Sequence, residues 1–248
     1  MGLSMKQFGL VSEIDYTNES SWKDKIFVTL DIDWAHDDVV RNVADFLSSN
    51  HIKATWFVTH QSPVLDELRN NPLFELGIHP NYNPLLLQHS TSKGANAKEV
   101  LENILQIVPE AKSVRSHSLT QHSALVDYYA EKGLVHELNV FIPIQEDIIL
   151  KPYRHWTNII QVPHVWEDDV NMRYGLDYFE MIEKVIDYTG ITVLDFHPIH
   201  LFLNANAYEQ YEEVKDFLQD YQRLETHINK DSFGTKNFLS LLVDKITS

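Results

Sequence analysis

The chain contains no cysteine. That absence excludes a disulfide scaffold and all thiolate chemistry, whether zinc finger, iron–sulfur cluster or cysteine nucleophile. Any metal must then be held by carboxylate, imidazole or amide groups. Long apolar runs are also missing. None approaches the roughly eighteen residues of a membrane span, and Met1 to Gln7 lacks a basic region followed by an apolar core. The expectation is a soluble protein with neither signal peptide nor membrane span. Positive charge is scarce: 20 Lys and Arg face 36 Asp and Glu, a formal net charge of −16. Such a field repels phosphate backbones and argues against nucleic acid as a partner. No linker, internal repeat or low-complexity tract interrupts the 248 residues. They read as one domain, 1–248, a length that α/β barrels commonly fill. The acidic bias of 209–225 reads as a solvated helix face.

What is present centres on Phe27-Val28-Thr29-Leu30-Asp31-Ile32-Asp33-Trp34. Ile26 to Leu30 is an apolar run rich in β-formers, the pattern of a strand buried on both faces. Asp31 and Asp33 stand where that strand should end, and residues two apart on a strand share a face. Asp37 or Asp38 is the expected N-cap of a helix carrying Val39, Val40, Val43, Phe46 and Leu47 at helical spacing.

Strand and helix then alternate along most of the chain. Strands are expected at 53–59, 73–79, 112–115, 134–140 and 191–196. Helices are expected from Ser62-Pro63, and at 97–107, 120–132 (closed by Gly133), 176–188, 207–227 and 236–246. Residues 84–96 read as a long loop over the site, and 141–165 as hairpin or loop. The alternation predicts an α/β fold with parallel strands and right-handed crossovers.

Four of these strands end in chemistry-bearing residues: Asp31 and Asp33, His79, Arg115 and His117, and Asp195 and His197. In a parallel sheet or barrel those ends lie on one face, so groups far apart in sequence converge. The convergence points to a metal-assisted or acid–base site.

Five segments together resemble a known family. They are Thr29-Leu30-Asp31-Ile32-Asp33, Gly77-Ile78-His79-Pro80-Asn81-Tyr82-Asn83, Arg115-Ser116-His117, Trp166-Glu167-Asp168 and Leu194-Asp195-Phe196-His197. In order they are similar to the five motifs of the polysaccharide deacetylases, the NodB-homology enzymes of carbohydrate esterase family 4. The resemblance spans about residues 26–203. It implies a distorted (β/α) barrel of about seven parallel strands, a divalent metal, most often zinc, and hydrolysis of an acetyl group on a sugar. Carried over, Asp31 would be the general base, Arg115 would hold it, and His197 would protonate the leaving amine. Asp33 and His79 would bind the metal, with Asn83, four residues after His79, as the favoured third ligand. Trp166 would wall the acetyl pocket, and Asp168 or Glu167 would orient an active-site partner. His117 would contact substrate, or supply the third ligand in place of Asn83.

Two departures stand out. Ile32 separates aspartates that are adjacent in the family pattern, and Asn83 stands where a second histidine is usual. The substrate implied is an acetylated carbohydrate, and the missing export signal places the expected reaction in the cytoplasm. Two other readings fit the same segments. One is an amidohydrolase of the same fold; the other is a catalytically silent barrel that binds carbohydrate or a protein partner. His36, His164 and His200 lie near the motifs, with pocket lining the only role they suggest.

Overall fold

The computed structural model describes residues 6–87 and 94–247. Ten strands form one sheet: β1 (Gln7–Phe8), β2 (Lys25–Asp31), β3 (Ala54–Val58), β4 (Phe74–Ile78), β5 (Ser113–Val114), β6 (His136–Glu137), β7 (Tyr153–Arg154), β8 (Ile160–Gln161), β9 (Trp166–Glu167) and β10 (Thr192–Phe196). Their order is β7-β8-β6-β5-β4-β3-β2-β10-β9, with β1 added beside β2. All pairs are parallel except β7–β8, a hairpin inside the segment predicted as hairpin or loop.

The two ends of this order meet on one piece of chain. β8 and β9 belong to a single extended stretch, 160–167. Its first residues bond β6 and its last bond β10. Between them His164 exchanges hydrogen bonds with Val140 and Ile142 at 2.9 and 3.1 Å, and Val165 N–H donates to Val193 O at 3.0 Å. The sheet is therefore curled into a distorted barrel. Counting that stretch once, it has seven parallel strands: β2 to β6, 160–167 and β10.

The strands lie where the apolar runs predicted, because β2, β3 and β10 are buried on both faces, as parallel strands covered by helices must be. Outside lie α1 (Asp37–Ser49), α2 (Val64–Arg69), α3 (Asn83–Leu86), α4 (Ala97–Ile107), α5 (Ser123–Glu131), α6 (Asp168–Arg173), α7 (Tyr178–Asp187), α8 (Pro198–Leu203), α9 (Tyr208–Val214), α10 (Tyr221–Glu225) and α11 (Thr235–Thr247). No helix among the described residues is long and apolar enough to cross a membrane.

Several local expectations are revised. The N-cap of α1 is His36, whose Nδ1 accepts from Asp38 N–H at 3.1 Å, while Asp37 and Asp38 occupy the first turn. That still sets negative charge against the helix N-terminus. The helix expected over 207–227 breaks into α9, a 3-10 turn and α10. Helices α6 and α8 were not anticipated; Pro198 opens α8 at its first turn. Within the expected loop 84–96, residues 83–86 form α3, and 88–93 lie outside the described residues. Gly133, at φ +76°, closes α5 as expected.

Candidate active site

The strand ends assemble a cleft of about 340 Å³, whose lining includes Asp31, Asp33, His79, His117, Asp195 and His197. Each arrives by a different local device. Asp31 is the last residue of β2 and is nearly buried. Asp33 does not continue the strand. The chain turns there through two left-handed residues, Asp33 at φ 40° and Trp34 at φ 58°, so the carboxylate reaches the cleft by a strained turn and not by strand alternation. His79 follows β4, with its N–H on Val58 O at 2.8 Å. Gly77, just before it, is needed for close approach. A Cβ there would lie 2.7 Å from the Phe57 ring and 2.6 Å from Ser113 Oγ. His117 opens a 3-10 turn in which Ser118 and Leu119 are also left-handed.

Three donor atoms meet in a triangle. Asp33 Oδ1 lies 3.3 Å from His79 Nε2 and 3.1 Å from His117 Nδ1, and the two ring nitrogens are 3.3 Å apart. Ligand bonds of about 2.0–2.1 Å in a tetrahedron place neighbouring donors roughly 3.3 Å apart. The residues therefore fit a zinc-sized divalent cation with a fourth position left open. His79 Nδ1 faces Asp31 Oδ1 at 3.4 Å without a hydrogen bond between them. Asn83 is not in this triangle. It starts α3, and its amide donates to Ser118 Oγ at 2.9 Å. The geometry thus supports His117, the less favoured of the two candidates, as third donor.

On one side of the triangle Asp31 is clamped by Arg115. Nε donates to Oδ1 and Oδ2 at 2.9 and 3.1 Å, and Nη2 donates to Oδ1 at 2.6 Å. The same guanidinium donates to Thr29 Oγ1 at 2.9 Å and to Asp195 Oδ1, and it is fully buried. Burial pushes Asp195 well above the usual carboxylate range; Arg115 opposes this, and the nearby charge of Asp31 adds to it. One cation is shared by two carboxylates, and the proton is held more readily at Asp195 than is usual for an aspartate.

On the other side stands His197. Its Nδ1 lies 2.8 Å from Asp168 Oδ1, its backbone N–H donates to Asp168 Oδ2 at 2.8 Å, and its Nε2 looks towards Asp33 Oδ2 at 3.7 Å. Burial disfavours the charged ring, but Asp168 outweighs it and lifts His197 well above the ordinary histidine value. Asp168, though fully buried, is held below the usual range by His200 and His197. Burial likewise works against ionised Asp33, and hydrogen bonds with His117 and His79 more than offset it.

One expectation changes. Trp166 is not a cleft wall. It is buried, stacks on Phe238 at 4.5 Å between ring centroids, and donates from Nε1 to Asn171 Oδ1 at 3.0 Å. Neighbours on a strand face opposite ways, so Glu167, which lines the cleft, turns Trp166 towards the helices. Asp168 lies behind His197, fully buried, with its two oxygens at the ring Nδ1 and the backbone N–H of that residue. His164 and His200, which sequence position left without a task, are both buried. His164 pairs with Glu167, and His200 Nδ1 lies 3.0 Å from Asp168 Oδ1. Asp169, Arg173, Tyr208 and Tyr211 also line the cleft and were missed. Their signal was one-turn spacing on two short helices.

Comparison with known proteins bears on the family and the fold. Residues 28–215 match the family model of the WbmS-like polysaccharide deacetylases. A Bordetella bronchiseptica protein, assigned as a polysaccharide deacetylase involved in O-antigen biosynthesis, has a similar structure with a TM-score of 0.90. It is 38% identical over 96% of this chain and 98% of its own. A protein from Mycobacterium smegmatis, also assigned as a polysaccharide deacetylase, is 14% identical with a TM-score of 0.51, covering 97% and 95% of the two chains; this likeness concerns the fold. No curated protein sequence matches the chain.

Proposed function

Because this chain belongs to the WbmS-like polysaccharide deacetylase family, hydrolases acting on acetyl amide bonds, we propose that it is a divalent-metal-dependent deacetylase of an N-acetylated sugar in a polysaccharide precursor. The observation that carries the reading is the Asp33–His79–His117 triangle with a clamped carboxylate on one side and a carboxylate-backed imidazole on the other. Asp33, His79 and His117 would hold the cation, most suitably zinc given two imidazoles and one carboxylate. When bound, such an ion polarises an acyl carbonyl and lowers the pKa of water.

The remaining steps belong to side chains of this protein. Asp31 takes the proton of the attacking water. Arg115 occupies Oδ1 with its two shortest bonds and leaves Oδ2, at 3.1 Å from Nε, the freer acceptor. The water oxygen bonds to the acyl carbon, giving a tetrahedral adduct. His197 Nε2 then donates its proton to the amide nitrogen as the C–N bond breaks, and the products are acetate and the free amino sugar. Asp168 keeps that proton on the ring until it is needed. The O-antigen role of the Bordetella relative supports a precursor over a finished wall polymer, and a cytoplasmic reaction accords with that.

The test is acetate release from a panel of N-acetylated sugars and sugar nucleotides, with and without chelator. Turnover that stops with chelator, returns with zinc and is lost in Asp31→Asn, with zinc still bound, is the expected result. Chelator-resistant turnover, or loss of zinc from Asp31→Asn, overturns these roles.

A further inference from the structure

The cleft has a second wall that hydrolysis of the acyl group does not use. Asp169 and Arg173 lie one turn apart on α6, and Tyr208 and Tyr211 lie one turn apart on α9; all four line the cleft. The Arg173 guanidinium lies 3.6 Å above the Tyr208 ring. Its nearest carboxylate, Asp169 Oδ2, is at 3.7 Å, too far for a hydrogen bond. The rings of Tyr208 and Tyr211 are tilted by 48° with centroids 5.7 Å apart, and the edge contact of Tyr211 with His200, at 5.4 Å, fixes its plane. Asp169 Oδ1 is buried and has no hydrogen-bond partner.

These features describe a surface awaiting a ligand. A buried carboxylate oxygen without a donor is costly, and a ligand hydroxyl or N–H would satisfy it. Stacking holds the guanidinium in place while leaving its N–H donors free for acceptors. The tyrosines present ring faces to apolar C–H groups and hydroxyls to polar edges. Apolar faces with donors and acceptors around the rim are the features of a sugar ring. The size limits the ligand further. At about 340 Å³ the cleft is near the low end of the ~300–1,000 Å³ range of ligand sites. That volume matches one ring with its acetamido group.

We propose that Asp169, Arg173, Tyr208 and Tyr211 form the sugar-recognition wall of the cleft, and that it admits a single N-acetylated residue, at a chain end or as a monomer. This rests on the deacetylase reading, and its test separates the two. The zinc-loaded enzyme is given methyl glycosides of N-acetylated gluco-, galacto- and manno-configured hexosamines, and the matching tetrasaccharides. Acetate is quantified, and mass spectrometry locates the residue that lost it.

The wall predicts loss from monomers or chain ends and not from internal residues. Tyr211→Ala and Asp169→Asn should raise KM roughly tenfold or more with kcat changed less than about threefold. Tyr211→Phe, which keeps the ring, should recover most of the loss, and zinc content and Tm should stay at parent values. Equal acetate loss from internal residues, or an unchanged KM in both variants, overturns the wall and leaves the deacetylase reading intact. If no glycoside is hydrolysed, saturation-transfer NMR with the same glycosides decides. Binding lost in both variants keeps the wall and removes the reaction; no binding by the parent removes the wall as well.

Discussion

Arg115 carries more of this protein than a strand-end cation ordinarily would. It is fully buried, bridges Asp31 and Asp195, and rests 4.5 Å from the centroid of the Phe57 ring. Removing it leaves two carboxylates out of water without their cation, and breaking a buried pair costs about 3–5 kcal/mol. Arg115→Ala should therefore lose stability of that order in urea unfolding as well as activity; a variant with parental stability would mean that water replaces the guanidinium. Asp168 offers a subtler test, because it acts only through His197. The folded His197 pKa is raised, so the acid form needed to protonate the amine persists to higher pH than for a free imidazole. Replacing Asp168 with Asn removes the charge that raises it. The alkaline limb of kcat should then move to lower pH. An unmoved limb would assign proton donation elsewhere.

Among the elements, β4 is built with least tolerance. Its Gly77 faces Phe57 on β3 and Ser113 on β5, and an added methyl group would overlap both. Gly77→Ala should cost about 1–3 kcal/mol of stability. By displacing β4 it should also carry His79 away from Asp33 and His117, weakening zinc binding more than a remote mutation of equal destabilisation. Titration of zinc into the variant, beside a remote mutant of matched Tm, checks this. Strand β4, its histidine and the ends of β2 and β10 were legible in the sequence because each is an apolar run halted by polar residues, a local pattern, whereas β5, only Ser113–Val114, was marked by the Arg115-Ser116-His117 segment that follows it. The meeting of His117 with Asp33 and His79 was not legible. It depends on the left-handed turns at Asp33–Trp34 and Ser118–Leu119, conformations that no residue type there announces. Trp166 could have been assigned to the core from its neighbours alone, since a cleft-facing Glu167 forces it outward. Tyr208 and Tyr211 were hidden for the opposite reason, lying in an acidic segment whose charge pattern reads as solvent-facing.

For the molecule as a whole, the net charge of −16 is concentrated in meaning at the cleft, where Asp31, Asp33, Glu167, Asp169 and Asp195 face one another. The proposed divalent cation would relieve that repulsion and, binding only the folded form, would stabilise the fold. At a hundredfold excess over Kd the gain is about 2.7 kcal/mol. Zinc should raise Tm and chelator should reverse it. His117→Ala should abolish most of the shift, whereas Asn83→Ala should keep it. The opposite pattern in those two variants would return the ligand role to Asn83.

The junction of the barrel has a further meaning when time is considered. Asp31 and Arg115 are 84 residues apart, Arg115 and Asp195 another 80, and β2 cannot gain its β10 neighbour until residue 196 has left the ribosome. Ordering such distant partners carries a large loop-closure cost and makes for slow folding. Until then β2 waits with one edge bare, and Arg115 holds only one of its two carboxylates. Assembly and competence therefore coincide: the same late event that shuts the ring brings the guanidinium its second carboxylate. A nascent or partly unravelled chain lacks Asp195 and His197 at the cleft, so only the completed circuit assembles all of its groups.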